Sequence, residues 1–338
     1  MMDSIDRNVD HCNVSNNATY NMLSWIVAGQ FALGLPLNLS VLYIFIFRFK
    51  FWKNKSIFLF NIVVADFLLV ACLPAKAYHY QRGQRRSPNY IMCKTMLFMV
   101  FLNRGASIAF LVMLSIDRYF NVVHLGRRNF VKVLKKSPQI SVVIWLFLLP
   151  LTIPTMLNTF ECCNSYGRVN NTFSQDVTDT SREVVFFAEI LLPFIILVFC
   201  TVRIVHRLRR KTVGDKSKLR RASYVVTSVV VLFSICFLPS TIARAVLLAT
   251  RLGMRPEAEN VAAQVYDSLM VLSYIDCLLD PLVYCFCHSG FKDAYVTTFC
   301  PVFLQKRLLK LEFSSGMGTT TTTTSSRGRT LSLPMLDK

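Results

Sequence analysis

Long apolar runs alternate with short basic connections along this chain. Stretches long enough to cross a bilayer as helices cover Met22–Phe47, Phe58–Tyr80, Met92–Val123, Ile140–Leu157, Val184–Val205, Tyr224–Ala249 and Val265–Cys287. Each approaches or exceeds the roughly 20 residues that a helix needs to cross a hydrocarbon core of about 30 Å. The pattern predicts an all-α membrane protein, a seven-transmembrane helix bundle. Beyond it, Phe291, Tyr295, Phe299 and Phe303 recur at every fourth position among Lys292, Asp293 and threonines. That spacing predicts a short amphipathic eighth helix on the inner leaflet. The expected plan is an extracellular N-terminus (1–21), the bundle (22–289), the amphipathic helix (290–304) and a disordered cytoplasmic tail (305–338). The Ser/Thr-rich tail has too few apolar residues to pack. Cys300 reads equally well as a palmitate carrier or as an unmodified thiol.

Charge sets the orientation. Of the connections, the first holds Arg48, Lys50, Lys53 and Lys55. The third holds Arg127, Arg128, Lys132, Lys135 and Lys136, and the fifth runs from Arg207 to Arg221 with Asp215 its only acid. These three share a face with the C-terminus, so that face is cytoplasmic and the N-terminus lies outside. Much of the net charge of +19 is thereby an orientation signal. Nucleic acid is not an expected partner, because the basic clusters flank membrane spans instead of interleaving with exposed aromatics. Arg82, Arg85 and Arg86 depart from the rule, lying in an outer loop. They read as a solvated charge run or as a device that steers anions to the mouth. The first 20 residues are polar and acidic and show no cleavable signal peptide.

Among the 11 cysteines, Cys12, Cys93, Cys162 and Cys163 fall on the outer face, where disulfides persist. A bridge between the adjacent Cys162 and Cys163 is sterically poor, so Cys12 and Cys93 are expected to take one each. Outer glycosylation sequons stand at Asn13, Asn17 and Asn170. No spacing of a structural zinc site occurs.

The candidate chemistry begins at Arg104, which lies 11 residues past Cys93 in the third run. At about 1.5 Å per residue it sits roughly 16 Å deep, near the bilayer midplane. A guanidinium there costs on the order of 2.5–3.5 kcal/mol to insert and must face the bundle interior or a wet cavity. Its donor fork matches a carboxylate bidentately. Arg104 therefore reads as the anchor of an acidic ligand, or else as half of a permanent ion pair with Glu189 or Asp276.

One motif marks each span. These are Asn38 in the first, Phe60-Asn61-Ile62-Val63-Val64-Ala65-Asp66 in the second, Asp117-Arg118-Tyr119 closing the third, Trp145 in the fourth and Pro193 in the fifth. Phe233-Ser234-Ile235-Cys236-Phe237-Leu238-Pro239 marks the sixth, and Asp280-Pro281-Leu282-Val283-Tyr284 the seventh. Together, over roughly residues 20–305, they resemble the rhodopsin-like (class A) G-protein-coupled receptors. Finer runs are similar to the hydroxycarboxylic acid and oxoeicosanoid receptors, namely Asn103-Arg104-Gly105-Ala106-Ser107-Ile108, Val122-Val123-His124 and Cys236-Phe237-Leu238-Pro239-Ser240.

The resemblance implies that Arg104 holds a ligand carboxylate, with Arg244 and Tyr274 nearby. Arg244 is alternatively a helix-end cation that snorkels. Lys76, His79 and Tyr80 are further contact candidates. It also implies a cytoplasmic switch at Asp117, Arg118 and Tyr119, with Phe237, Pro239, Asp280, Pro281 and Tyr284 acting in the sixth and seventh spans. Pro239 is either the hinge of that switch or a static kink. The expected partners are a small acidic ligand, a heterotrimeric G protein of inhibitory type, arrestin and a receptor kinase at the tail, and membrane lipid. Phe237 departs from the family, which usually places tryptophan there.

Asp66, Asp276 and Asp280 should converge below Arg104 with Ser107 and Asn38. The resemblance implies an allosteric sodium ion at Asp66. Three carboxylates in one place require either such a cation or shared protons in a hydrogen-bond network. No other cofactor is expected. An anion transporter would want internal repeats and broken helices at matching places, and none is visible. An enzyme would want a nucleophile–base pair or a metal constellation, and neither is evident. Within the receptor reading, the outer cations and the small Ala106 tilt the expectation toward a larger oxidised fatty acid over a short hydroxy acid.

Overall fold

A computed structural model describes residues 16–48, 54–84, 90–123, 136–153, 173–210, 216–253, 256–287 and 289–299. The helices are α1 (Asn17–Tyr43, running into a π-helical turn Ile44–Arg48), α2 (Asn54–Gln81), α3 (Tyr90–Val122), α4 (Ser137–Thr152) and α5 (Phe173–Arg210). They continue with α6 (Lys216–Cys236), α7 (Leu238–Leu252), α8 (Pro256–Ser273), α9 (Asp276–Cys287) and α10 (Ser289–Phe299). The sixth span is α6 with α7, and the seventh is α8 with α9. Among the described residues, six spans have the length and apolarity to cross a membrane, and α4 is a shorter apolar helix of 16 residues. Cys12, Cys162, Cys163, Asn13, Asn170, Cys300 and the tail lie outside the described residues.

The residue distribution is that of a bundle in hydrocarbon. Trp25, Leu33, Phe147 and Leu192 are exposed, whereas Asp66, Arg104, Glu183, Arg244, Asp276 and Asp280 are buried. Without water around the spans, polar groups must find their partners inside. α1 starts where the Asn16 side chain accepts hydrogen bonds from the backbone of Ala18 and Thr19 at 3.1 and 3.3 Å. It packs on α2 and on both halves of the seventh span. Close approach there requires Gly34, where a Cβ would lie 3.2 Å from Val70 and 3.3 Å from Leu278. α4 is fastened to α2 by Trp145 Nε1, which donates to Asn61 Oδ1 at 2.7 Å, and by Asn61 Nδ2, which donates to Ser141 at 3.3 Å.

Two spans break, and each break has local compensation. Pro239 brings no N–H to the sixth span, and the helix is interrupted at Phe237. The Phe237 carbonyl accepts the hydroxyls of Ser240 (3.0 Å) and Thr241 (2.7 Å). The seventh span breaks at Tyr274 and Ile275, where the amides bond three residues back, to Val271 and Leu272. α1 supplies side-chain donors on either side of this break. Gln30 Nε2 donates to the Val271 carbonyl at 2.9 Å, and Asn38 Nδ2 donates to the Cys277 carbonyl at 3.0 Å.

The fifth helix differs from expectation. It begins at Phe173, not near Val184, and continues to Arg210, so Arg207 and Arg209 are helical. At the inner end, Phe291 of α10 packs on Phe45 and Tyr284, with ring centroids 5.0 and 6.1 Å away. The last residues of α10 belong to a second unit, Tyr295–Lys338.

Candidate ligand-binding site

Arg104 projects from α3 across the bundle and is 4% exposed. Its Nη2 donates to Ser240 Oγ at 2.9 Å, and its Nη1 lies 3.8 Å from Met270 Sδ. The guanidinium carbon stands 4.7 Å from the Phe186 ring centroid and 5.4 Å from that of Phe237. Nε has no partner. Among the described residues, no carboxylate lies in ion-pair range of Arg104, Glu189 and Asp276 included. A guanidinium has five N–H donors. One neutral hydroxyl, a soft thioether and two ring faces leave much of that capacity unused.

Glu189 lies beside Arg104's neighbour. A Cβ built on Gly105 would collide with Glu189 Oε1 and lie 2.8 Å from Leu148. The glycine therefore makes room for an intramembrane acid on the third helix's next face.

Arg244, expected beside the ligand carboxylate or else as a snorkelling helix end, does not snorkel. It is buried and pairs with Glu183 of α5. Nε donates to Oε2 at 3.1 Å, and Nη2 meets Oε1. The fork geometry is bidentate, the strong form of this pair. The outer turns of α5, which the apolar pattern did not reveal, place the acid there. Arg244 also stands 5.8 Å from the Phe186 ring and 5.2 Å from that of Tyr266. One aromatic ring thus serves both arginines.

Tyr274 is buried at the break of the seventh span. It packs with Tyr20, Leu23, Val27, Tyr80 and Val271, and Met270 lies against that cluster. The structure gathers Lys76 and Tyr80 with Tyr20 and Asp267. Lys76 Nζ lies 4.8 Å from the Tyr80 ring centroid, Tyr80 meets Tyr20 edge-on at 5.2 Å, and the Tyr20 hydroxyl donates to Asp267 at 2.8 Å. His79 contacts Gln84 at 3.3 Å. Asn17 is exposed at the start of α1. Cys93 is disulfide-bonded, and its partner lies outside the described residues.

Below Arg104 the three aspartates do converge. Each of Asp66, Asp276 and Asp280 offers an oxygen within 4.8 Å of the others, and all three are buried. Asp66 Oδ1 accepts from Asn103 Nδ2 (3.2 Å) and Ser107 Oγ (3.3 Å), and Oδ2 accepts from the Tyr284 hydroxyl (3.2 Å). Among the described residues, both oxygens of Asp276 and Oδ1 of Asn38 lack hydrogen-bond partners. A set of hard oxygens with unused lone pairs fits an alkali or alkaline-earth cation. Asn103, next to Arg104, thereby joins that arginine to the acid cluster through consecutive residues.

A column of rings leads inward from the site. Phe237 is 5.2 Å from Phe233, which stacks on Phe194 at 5.5 Å. At the far end of α3 Asn121 Nδ2 donates to the Asp117 carbonyl and carboxylate at 2.7 and 3.0 Å. Tyr119 packs with Cys200, Ile204 and Val226, between the third, fifth and sixth spans, and Arg118 is half-buried. Pro281 is buried in the seventh span.

Sequence reasoning missed Phe186, Ser240, Met270, Tyr266 and Glu183's role. Ser240 carried the clearest signal of these, since it directly follows Pro239 in the sixth-span motif. The others face Arg104 or Arg244 only through the third dimension.

A family model described as 7 transmembrane receptor (rhodopsin family) matches residues 37–284. The mouse 12-(S)-hydroxy-5,8,10,14-eicosatetraenoic acid receptor is 31% identical, over 84% of this chain and 91% of the relative. Human hydroxycarboxylic acid receptor 2 is 32% identical, over 85% and 80% respectively. Human oxoeicosanoid receptor 1 is 29% identical, over 82% and 72%. A multi-pass helical bundle with a buried arginine facing its interior, matched over most of its length by these relatives, belongs to the rhodopsin family of seven-transmembrane receptors, in the subgroup of the hydroxycarboxylic acid and eicosanoid receptors.

Proposed function

We propose that this chain is a plasma-membrane receptor, N-terminus outside, which binds a small carboxylate at Arg104 and signals through an inhibitory G protein to lower cAMP. The observation that carries the reading is the buried Arg104 guanidinium, which has no carboxylate in ion-pair range among the described residues. The names of the relatives, which concern hydroxycarboxylic and eicosanoid acids, support the same chemistry. Arrestin and a receptor kinase at the tail complete the expected partners.

The acid neutralises Arg104 and replaces its contacts with Phe237, at the break of the sixth span, and Ser240, just beyond it. It shifts the receptor toward the open cytoplasmic state only by binding that state more tightly. The bound G protein must raise acid affinity by the same factor. The test is a panel of short hydroxy acids and long oxidised fatty acids, each beside its methyl ester, read as cAMP suppression with and without pertussis toxin. At least one acid should act while its ester does not. An ester as potent as its acid would favour a receptor for an uncharged ligand.

The acid cluster supports a second element. A monovalent cation between Asp66, Asp276 and Asp280 would offset their charge and favour the resting arrangement, in which Tyr284 holds Asp66. Acid affinity is then expected to rise when sodium is replaced by N-methyl-D-glucamine, and Asp66→Asn should remove the difference. Equal affinity of the parent in both salts would leave the cluster as a proton-sharing network.

A further inference from the structure

Between α7 and α8, on the face turned to lipid, lies a groove of about 740 Å³. That volume falls within the range of small-molecule sites. Ile242, Val246, Val261 and Val265 line its rim and are 47–63% exposed. Ala243 and Ala262 form a thin floor, buried in a cluster with Leu247, Ala263 and Tyr266. Of the ten lining residues only Thr250 carries a polar side chain, and its hydroxyl is spent on the Leu247 carbonyl at 2.8 Å. The groove therefore offers a ligand no hydrogen bond and no charge. It fits hydrocarbon.

Its inner end says which hydrocarbon. Pro239 and Leu269 close the groove, and the residues that follow them, Ser240 and Met270, are the two that hold the Arg104 guanidinium. The apolar trough is thus lined, at this end, by the chain neighbours of two residues that contact a buried cation. A molecule with an anionic head and a hydrocarbon tail matches both features. We propose that the groove between α7 and α8 seats the tail of a long-chain carboxylic acid whose head engages Arg104, and so is a chain-length-selecting part of the receptor. The proposal rests on the carboxylate reading and names its ligand class. The acid arrives through the outer leaflet, its tail never leaves hydrocarbon, and only the carboxyl crosses the seam at the Pro239 end.

The test uses the full chain in nanodiscs and a long-chain fatty acid bearing a diazirine at its methyl end. Photolabelling is expected on α7 and α8, should be competed by the unlabelled acid, and should be absent with the methyl ester of the probe. Label confined to other helices overturns the proposal. So does equal labelling by the ester, which would mark a general lipid surface, and so does no labelling at all. Ala262→Trp fills the floor and is expected to lower long-chain acid potency by about tenfold or more while leaving short acids within about threefold. Equal loss for both, or loss for neither, overturns the tail assignment. If no acid of any length signals through the parent receptor, it is the carboxylate reading that has failed.

Discussion

Arg104→Ala is expected to lower the potency of an active acid by about 100-fold or more, with the receptor still reaching the cell surface. Charge-assisted hydrogen bonds are worth roughly 1.5–3 kcal/mol each, and leaving a desolvated partner without its counter-charge costs about 2–5 kcal/mol. The lower part of that range, about 3 kcal/mol, already corresponds to two decades of affinity. Folding should suffer less, because the side chain now makes one hydrogen bond to Ser240, a thioether contact and two ring contacts, with no ion pair among the described residues. Arg104→Lys keeps the charge but loses the planar fork and should fall between parent and alanine. The readout is a concentration–response series for acid-driven cAMP suppression, normalised to surface expression. An alanine variant with parental potency would remove Arg104 from the ligand's path.

The second large effect concerns the pair that sequence reasoning did not see. Arg244→Ala or Glu183→Ala alone should destabilise the receptor by about 3–5 kcal/mol, the usual result of removing one partner of a buried pair. Their side chains are 9 and 11% exposed, so solvent offers the remaining partner little relief. Replacing both by leucine should cost far less, since two charges and their mutual attraction leave together. Thermal unfolding in detergent provides the double-mutant cycle. The Arg244→Leu/Glu183→Leu receptor should also keep most of its acid response if the pair is structural. Single variants as stable as the parent would show that the contact contributes nothing.

Much of the fold could be read from apolar run length, because hydrocarbon thickness imposes it. What that rule cannot register is helix outside hydrocarbon. The outer turns of α5 carry Asp176, Asp179, Arg182 and Glu183, and α8 opens on Pro256 and Glu257. Polar composition hid both, although Pro256 is a helix-starting residue. The break at Phe237 was visible in Pro239. The break at Tyr274 was not, since neither proline nor glycine marks it and its side-chain donors come from α1, more than 200 residues earlier. The aspartate cluster was legible because Asp276 and Asp280 share a helical face four residues apart. Arg104's lack of an ion pair among the described residues and Arg244's pairing were indistinguishable in sequence. Both are lone arginines in apolar runs, and only the rotation of α5 decides which one meets an acid.

Phe186 touches both of these cations with a single ring. If a guest at Arg104 displaced that ring, the seat of Arg244 would change with it. News of occupancy would then pass from the centre of the bundle to the joint between the fifth and sixth spans by displacement alone, with the guest never meeting Glu183.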